Sequence, residues 1–162
     1  MICVSNEVVV NAGLLPGEPR LTRSDIWNGL VLKAENALPF VPGMAKCNVV
    51  SRTSNGLVRD IAIRGAEARE RITLFPERKV VFIRESGIVD GFIVNEVLGD
   101  DENLRLRFSF AMQLIDAPSD SVEEREFKEV MERDYLTAVE ATIGAIRKLV
   151  ADPRYTKQGT SS

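Results

Sequence analysis

Between Ser121 and Val150 the chain carries one unbroken helical pattern, and this stretch constrains the fold more than any other. Phe127, Met131, Ala138, Thr142, Ala145 and Leu149 recur at steps of three and four, which stacks them on one side of an α-helix. Val130, Tyr135, Ala141 and Ile146 widen that side, while Glu129, Arg133, Glu140, Arg147 and Lys148 fall opposite. Ser121 is positioned as an N-cap, with Glu124 completing a capping box. Glu123, Glu124 and Glu126 in the first turns and Arg147 and Lys148 in the last suit the helix dipole. Pro153 follows the end. At ~1.5 Å per residue the helix is about 43 Å long. A helix of that length needs a broad apolar partner surface.

The residues before it supply one. Cys3–Val10 is rich in β-branched residues and reads as a strand. Leu14–Arg20 reads as a loop, and Thr22 then opens a capping box with Asp25. Ile26, Trp27, Leu30, Val31 and Ala34 mark a helix from Arg23 to Glu35, broken by Pro39, Pro42 and Gly43, with Phe40 and Val41 apolar enough to be buried between them. Six strands follow: Ala45–Arg52, Leu57–Ile63, Glu67–Leu74, Lys79–Ile83, Gly91–Leu98 and Leu104–Leu114. Asn55-Gly56 marks the first hairpin turn. In the last strand every even position is apolar, so one face is buried. The expectation is one α+β domain over residues 1–152, with residues 153–162 as a flexible tail.

Seven antiparallel strands curved round one long helix match the helix-grip fold of the Bet v 1 and START-like superfamily. The resemblance extends to sequence. LTRSDIWNGLVLKAENALPFVPGMAKCNVV is similar to the first-helix signature of the AtaL-like family, named after a fungal acetylaranotin-cluster protein. GLVRDIAIRG and ARERITLFPERKVVF resemble the strand blocks that follow, and the resemblance runs from Leu21 to Lys148. It implies a closed cup able to hold an apolar small molecule, in a group linked to secondary metabolism. It implies no particular reaction.

Composition narrows the chemistry. A net charge of −3 with interspersed signs lacks the basic face a nucleic acid requires. The absence of histidine removes the commonest general base and metal ligand together. Cys3 and Cys47, far apart, suit a reducing compartment and are too few for zinc. No metal or cofactor is expected. No apolar run is long enough to span a membrane and no signal peptide is evident, so the expected location is the cytoplasm.

Turn positions give the faces of the strands. With Gly65-Ala66 as turn residues, Arg59 pairs with Ile72 and Ile61 with Glu70, and opposed residues share a face. Leu57, Ile61, Ile63, Ile72 and Leu74 mark that face as inner, and it carries Arg59 and Glu70. A slip of one residue at this turn is expected to turn both outward. A four-residue turn at Phe75–Arg78 pairs Ile72 with Val81 and Glu70 with Ile83. The turn at Gly99–Glu102 pairs Asn95 with Leu106, pointing Asn95 inward. In the first hairpin the inner set is either Cys47 and Val49 or Asn48 and Val50.

Arg59, Glu70 and Asn95 therefore converge on an apolar cup. They either orient a ligand there, with Glu70 as a general base and Arg59 gripping a carbonyl or acidic oxygen, or Arg59 and Glu70 satisfy each other as a buried pair. Trp27 either stacks on a ligand or packs in the core, and Cys47 lacks a histidine to activate it. Tyr135 points its hydroxyl into the cup or to solvent. Asp134 borders the helix's inner stripe, and Arg105 and Arg107 face outward. The small residues Ala138, Ala141, Thr142 and Ala145 at mid-helix either allow close approach to the sheet or leave space, and the curvature of the sheet favours a void. Phe108, Phe110, Met131, Ala138 and Thr142 join Arg59, Glu70, Asn95, Trp27 and Tyr135 as candidate ligand-binding residues.

The function expected from this set is binding of a hydrophobic small molecule in an internal cavity. The alternative is a cofactor-free cyclase, dehydratase or isomerase acting on a polyketide- or peptide-derived intermediate. A third reading is an interaction module whose cup is filled by its own side chains.

Overall fold

The computed structural model describes residues 1–155, so all but the first three residues of the tail expected over 153–162 lie outside the described residues. The elements run β1 (Ile2–Val9), α1 (Arg23–Glu35), β2 (Met44–Thr53), β3 (Gly56–Ile63), β4 (Ala66–Phe75), β5 (Lys79–Ser86), β6 (Val89–Leu98), β7 (Arg105–Leu114) and α2 (Val122–Ala151). The strands form one antiparallel sheet in the order β1-β7-β6-β5-β4-β3-β2. Register shifts within β2, between Met44 and Lys46 and between Val49 and Ser51, and at Arg69/Glu70 of β4 bend these strands, as β-bulges do.

Both helices start as their sequences dictate. Thr22 Oγ1 accepts from the Asp25 amide while Asp25 Oδ2 accepts from the Thr22 amide, a complete capping box. At α2 only half of the expected box forms: Ser121 Oγ accepts from Glu124 N, and the Ser121 amide donates to Pro118 O instead. Tyr155, just beyond α2, donates its hydroxyl to Asp25 Oδ1 at 3.1 Å, which links this residue to α1.

The core fills the concave face of the sheet. Leu104, Leu106, Phe108, Phe110 and Met112 are all buried there, as the alternation in that strand requires. The buried stripe of α2 comprises Tyr135, Val139, Thr142, Ile143 and Ile146, turned from the expected line through Ala141, Ala145 and Leu149. α2 packs against β1, β7 and α1, and Val139 and Ile143 are buried in its C-terminal half. Gly29 of α1 makes this crossing close, because a side chain there would run into Ile146.

Registers decide what faces the cup. The β3–β4 turn is Arg64-Gly65, with φ of 52° and 78°, the two positive values of a type I′ turn. Ala66 would carry the second positive φ in the expected turn, and its Cβ disfavours that conformation. Moving the turn by one residue displaces the pairing by two, so Arg59 lies opposite Glu70 and both stay inward rather than turning to solvent. At the next hairpin the loop is three residues, Pro76-Glu77-Arg78, with Glu77 at a φ of 64°, not four. Here the displacement is a single residue and the face inverts: Ile72 pairs with Phe82 and Glu70 with Arg84. Val80 and Phe82 are buried, while Ile83 is exposed. Asn95 pairs with Phe108 instead of Leu106, a shift of two that leaves it inward. Cys47 opposite Ile61 and Val49 opposite Arg59 form the inner set of the first hairpin, with Val50 exposed.

Candidate functional site

Between the N-terminal half of α2 and the sheet lies a cavity of about 490 Å³. Its walls are mostly apolar, among them Ile61, Phe82, Val89, Ile93, Phe108 and Met112. From α2 it receives Phe127, Met131, Tyr135 and Ala138, and Arg64 and Asp134 form an ion pair where the β3–β4 turn meets the helix. Asp134, at the border of the helix's inner stripe, is half-buried and paired with Arg64. The void sits under residues 127–138, nearer the helix N-terminus than the stretch of small residues suggested. Ala141, Thr142 and Ala145 do not line it.

Four charged side chains and one amide form its polar wall. Arg59 is 3% exposed and Glu70 2%. Arg59 Nε donates to Glu70 Oε1 at 3.0 Å, and its Nη2 lies 2.9 Å from the same oxygen. Its Nη1 donates to Lys33 O and Ala34 O, both at 2.9 Å. Those carbonyls belong to the last turn of α1, where no helical partner remains, so Arg59 closes the helix end with donors and positive charge. Most of its five N–H groups are thereby committed. Glu70 Oε2 accepts from Arg84 Nε at 3.1 Å. Arg84 escaped the sequence reading because the β4–β5 hairpin was placed one residue out of register.

Lys33 was missed for another reason. Lysine is among the residues least often buried, so a lysine one turn beyond Leu30 gives no sequence signal of facing the core. It is 6% exposed, its ammonium donating to Asn95 Oδ1 at 2.7 Å. The ammonium also sits 4.6 Å from the Phe108 ring centre and 5.0 Å from that of Phe82. Burial and the nearby Arg59 charge lower its pKa to about 7, against an opposing pull from Glu70. Asn95 is fully buried, and its Nδ2 has no hydrogen-bond partner.

Tyr135 faces the cavity, its ring 4.1 Å from Phe110 between centres. Burial above all, reinforced by Glu70, pushes its hydroxyl well above the ordinary tyrosine value. Of the expected ligand-binding set, Arg59, Glu70, Asn95, Phe108, Met131, Tyr135 and Ala138 line the cavity. Trp27, Phe110 and Thr142 do not: Trp27 is packed in the core, Phe110 backs Tyr135, and Thr142 is buried with its hydroxyl unpartnered. Cys47 Sγ accepts from Ala37 N at 3.4 Å.

A seven-stranded antiparallel sheet curved round a long C-terminal helix, with a cavity between them, is the helix-grip fold seen in Bet v 1 and START-like structures. Residues 8–153 match the family described as acetylaranotin biosynthesis cluster protein L, AtaL, and the chain belongs to that family. No curated protein matches it. Among solved structures it is similar to the Zhui aromatase/cyclase from Streptomyces sp. R1128, at 18% identity over 98% of both chains with a TM-score of 0.68. The di-domain aromatase/cyclase StfQ of the steffimycin biosynthetic pathway is 10% identical over 93% of this chain and 52% of its own, with a TM-score of 0.70. A START superfamily protein from Mycobacterium smegmatis is 14% identical over 91% of this chain and 98% of its own, with a TM-score of 0.64. At these identities the likeness establishes the fold.

Proposed function

We propose that the protein binds a hydrophobic small molecule in this cavity, in the service of secondary metabolism. The observation that carries the reading is the cavity itself: about 490 Å³ with mostly apolar walls, not filled by the protein's own side chains. Ligand sites of roughly 300–1,000 Å³ with a few convergent polar groups are the usual form of a small-molecule pocket. Family membership and the aromatase/cyclase neighbours support the link to secondary metabolism. Native mass spectrometry on protein purified under mild conditions from metabolite-producing cells should show an added mass of one small organic molecule. Protein that is uniformly ligand-free, and that also takes up no aromatic probe, would refute the reading.

One observation favours a second reading, a cofactor-free cyclase, dehydratase or isomerase acting on a polyketide- or peptide-derived intermediate. Lys33 faces the cavity with a pKa of about 7, so it can give or take a proton near neutrality. Glu70 fits the base role less well, since each of its oxygens already receives an arginine. Incubating the co-purified molecule with wild type and with Lys33→Met, and following it by mass, separates the readings. Conversion that Lys33→Met abolishes supports the enzyme; an unchanged molecule supports the binder.

A further inference from the structure

We propose that Lys33 Nζ and Asn95 Nδ2 form a subsite for one ionised oxygen, so that the molecule held is an apolar body carrying a carboxylate or an enolate. The inference rests on the cavity being a ligand site and specifies what that site selects. Three cationic side chains, Lys33, Arg59 and Arg84, meet one buried carboxylate, Glu70, along the polar wall. Arg59 and Arg84 are both turned to Glu70. Lys33 has no carboxylate of its own, only the Asn95 carbonyl oxygen and two aromatic faces. Its ammonium keeps donors in hand, since it carries three N–H groups and one hydrogen bond. Asn95 holds Lys33 through Oδ1, which leaves Nδ2 as a fully buried donor lacking a partner on the cavity wall. A buried donor left unmatched is unfavourable, and an arriving oxygen would satisfy it while completing the lysine's coordination. A negative oxygen gains most there, because it also offsets the excess positive charge in an apolar setting.

The groups facing Lys33 fix the pH response. Arg59 from β3 repels its charge, while Glu70 from β4 and Cys47 from β2 favour it. Asn95, Phe82 and Phe108 from β6, β5 and β7 are uncharged. With a pKa of about 7 in the empty protein, Lys33 gradually loses its charge above neutrality, and affinity for an anion should fall with it.

The test uses two probes of nearly equal shape, 2-naphthoate and 2-naphthamide, titrated into the full-length protein by calorimetry at pH 6 and pH 9. The expected result at pH 6 is a preference for naphthoate of about tenfold or more, as for a charge-assisted hydrogen bond. That preference should shrink at pH 9 and disappear in Lys33→Met, with the larger loss of affinity falling on naphthoate. Benzoylacetone distinguishes the two oxygen sources: an enolate absorbance on binding at pH 6 identifies the enolate as a ligand form, and naphthoate binding without it identifies the carboxylate. Equal binding of naphthoate and naphthamide by wild type overturns the subsite and leaves the cavity reading standing. Failure of every probe to bind overturns both. The wild-type comparison needs no variant, so it stands even if Lys33→Met folds poorly.

Discussion

Burying a protonated lysine is unfavourable, and the folded protein responds by releasing the Lys33 proton near neutral pH. In the unfolded chain the same amine holds its proton to about pH 10.4. Between those limits the unfolded state binds more protons, so this group's contribution to stability rises with pH above about 7. Below about 7 both states are protonated and the unfavourable burial is felt in full. Lys33→Met removes the dependence. Chemical denaturation should show wild type gaining on Lys33→Met by about 2–3 kcal/mol between pH 6 and pH 9, at ~1.4 kcal/mol per pH unit of differential protonation. A constant difference would mean Lys33 is charged and compensated throughout. Glu70 makes the opposite case. It is the sole carboxylate among Lys33, Arg59 and Arg84, so Glu70→Gln leaves three cations without a counter-charge. A loss of about 3–5 kcal/mol in the same denaturation assay is expected, the scale for breaking a buried ion pair. Arg59 and Glu70 were legible because they share an apolar strand face whose side the turns reveal, whereas Lys33 was not, because it lies on a helix where a lysine is ordinarily solvated.

At the scale of elements, order and type were open to reading, and register was open only where parity forgave an error. Displacements of two residues at β3–β4 and β6–β7 kept Arg59, Glu70 and Asn95 inside. The single-residue displacement at β4–β5 turned Arg84 inward and Ile83 outward, and nothing in FPERK distinguishes a three-residue loop from a four-residue one. The position of the void was likewise hidden, because small residues at mid-helix signal either space or close approach. Close approach holds at the C-terminal half, where Gly29 meets Ile146. Gly29→Ala should therefore cost stability despite alanine's better helix propensity, by roughly 1–3 kcal/mol as in other overpacked cores. Adding Ile146→Ala should recover part of the loss, and additive losses in the thermal melts would exclude the contact. Space holds further toward the N-terminus. Ala138→Phe should fill the cavity, leaving the melt within about 1 kcal/mol of wild type while uptake of 2-naphthoate falls. Ala145→Phe, beside the core and away from the cavity, should lower the melt and leave uptake intact in the folded fraction. The reverse pattern would place the void where the small residues cluster.

Taken as a whole, α2 is one helix with two environments. From Tyr135 onward it carries every one of its fully buried positions and is held by β1, β7 and α1. Before Tyr135 it spans the cavity, contributing Phe127, Met131 and Asp134 to a wall with empty space behind it. Helical hydrogen bonds are the same in both halves, but the tertiary burial that stabilises a helix in water is not. The N-terminal half should accordingly open more readily than the C-terminal half, since local stability follows local packing. Hydrogen exchange followed by mass spectrometry should find amides of residues 127–134 exchanging faster than those of 139–146 by about tenfold or more in the ligand-free protein. A ligand binds only the closed helix tightly, so it stabilises that state by mass action. Saturating 2-naphthoate should slow exchange at 127–134 and leave 139–146 nearly unchanged. Protection that is uniform along α2, or that rises equally in both halves on binding, would mean that the helix opens as a single unit.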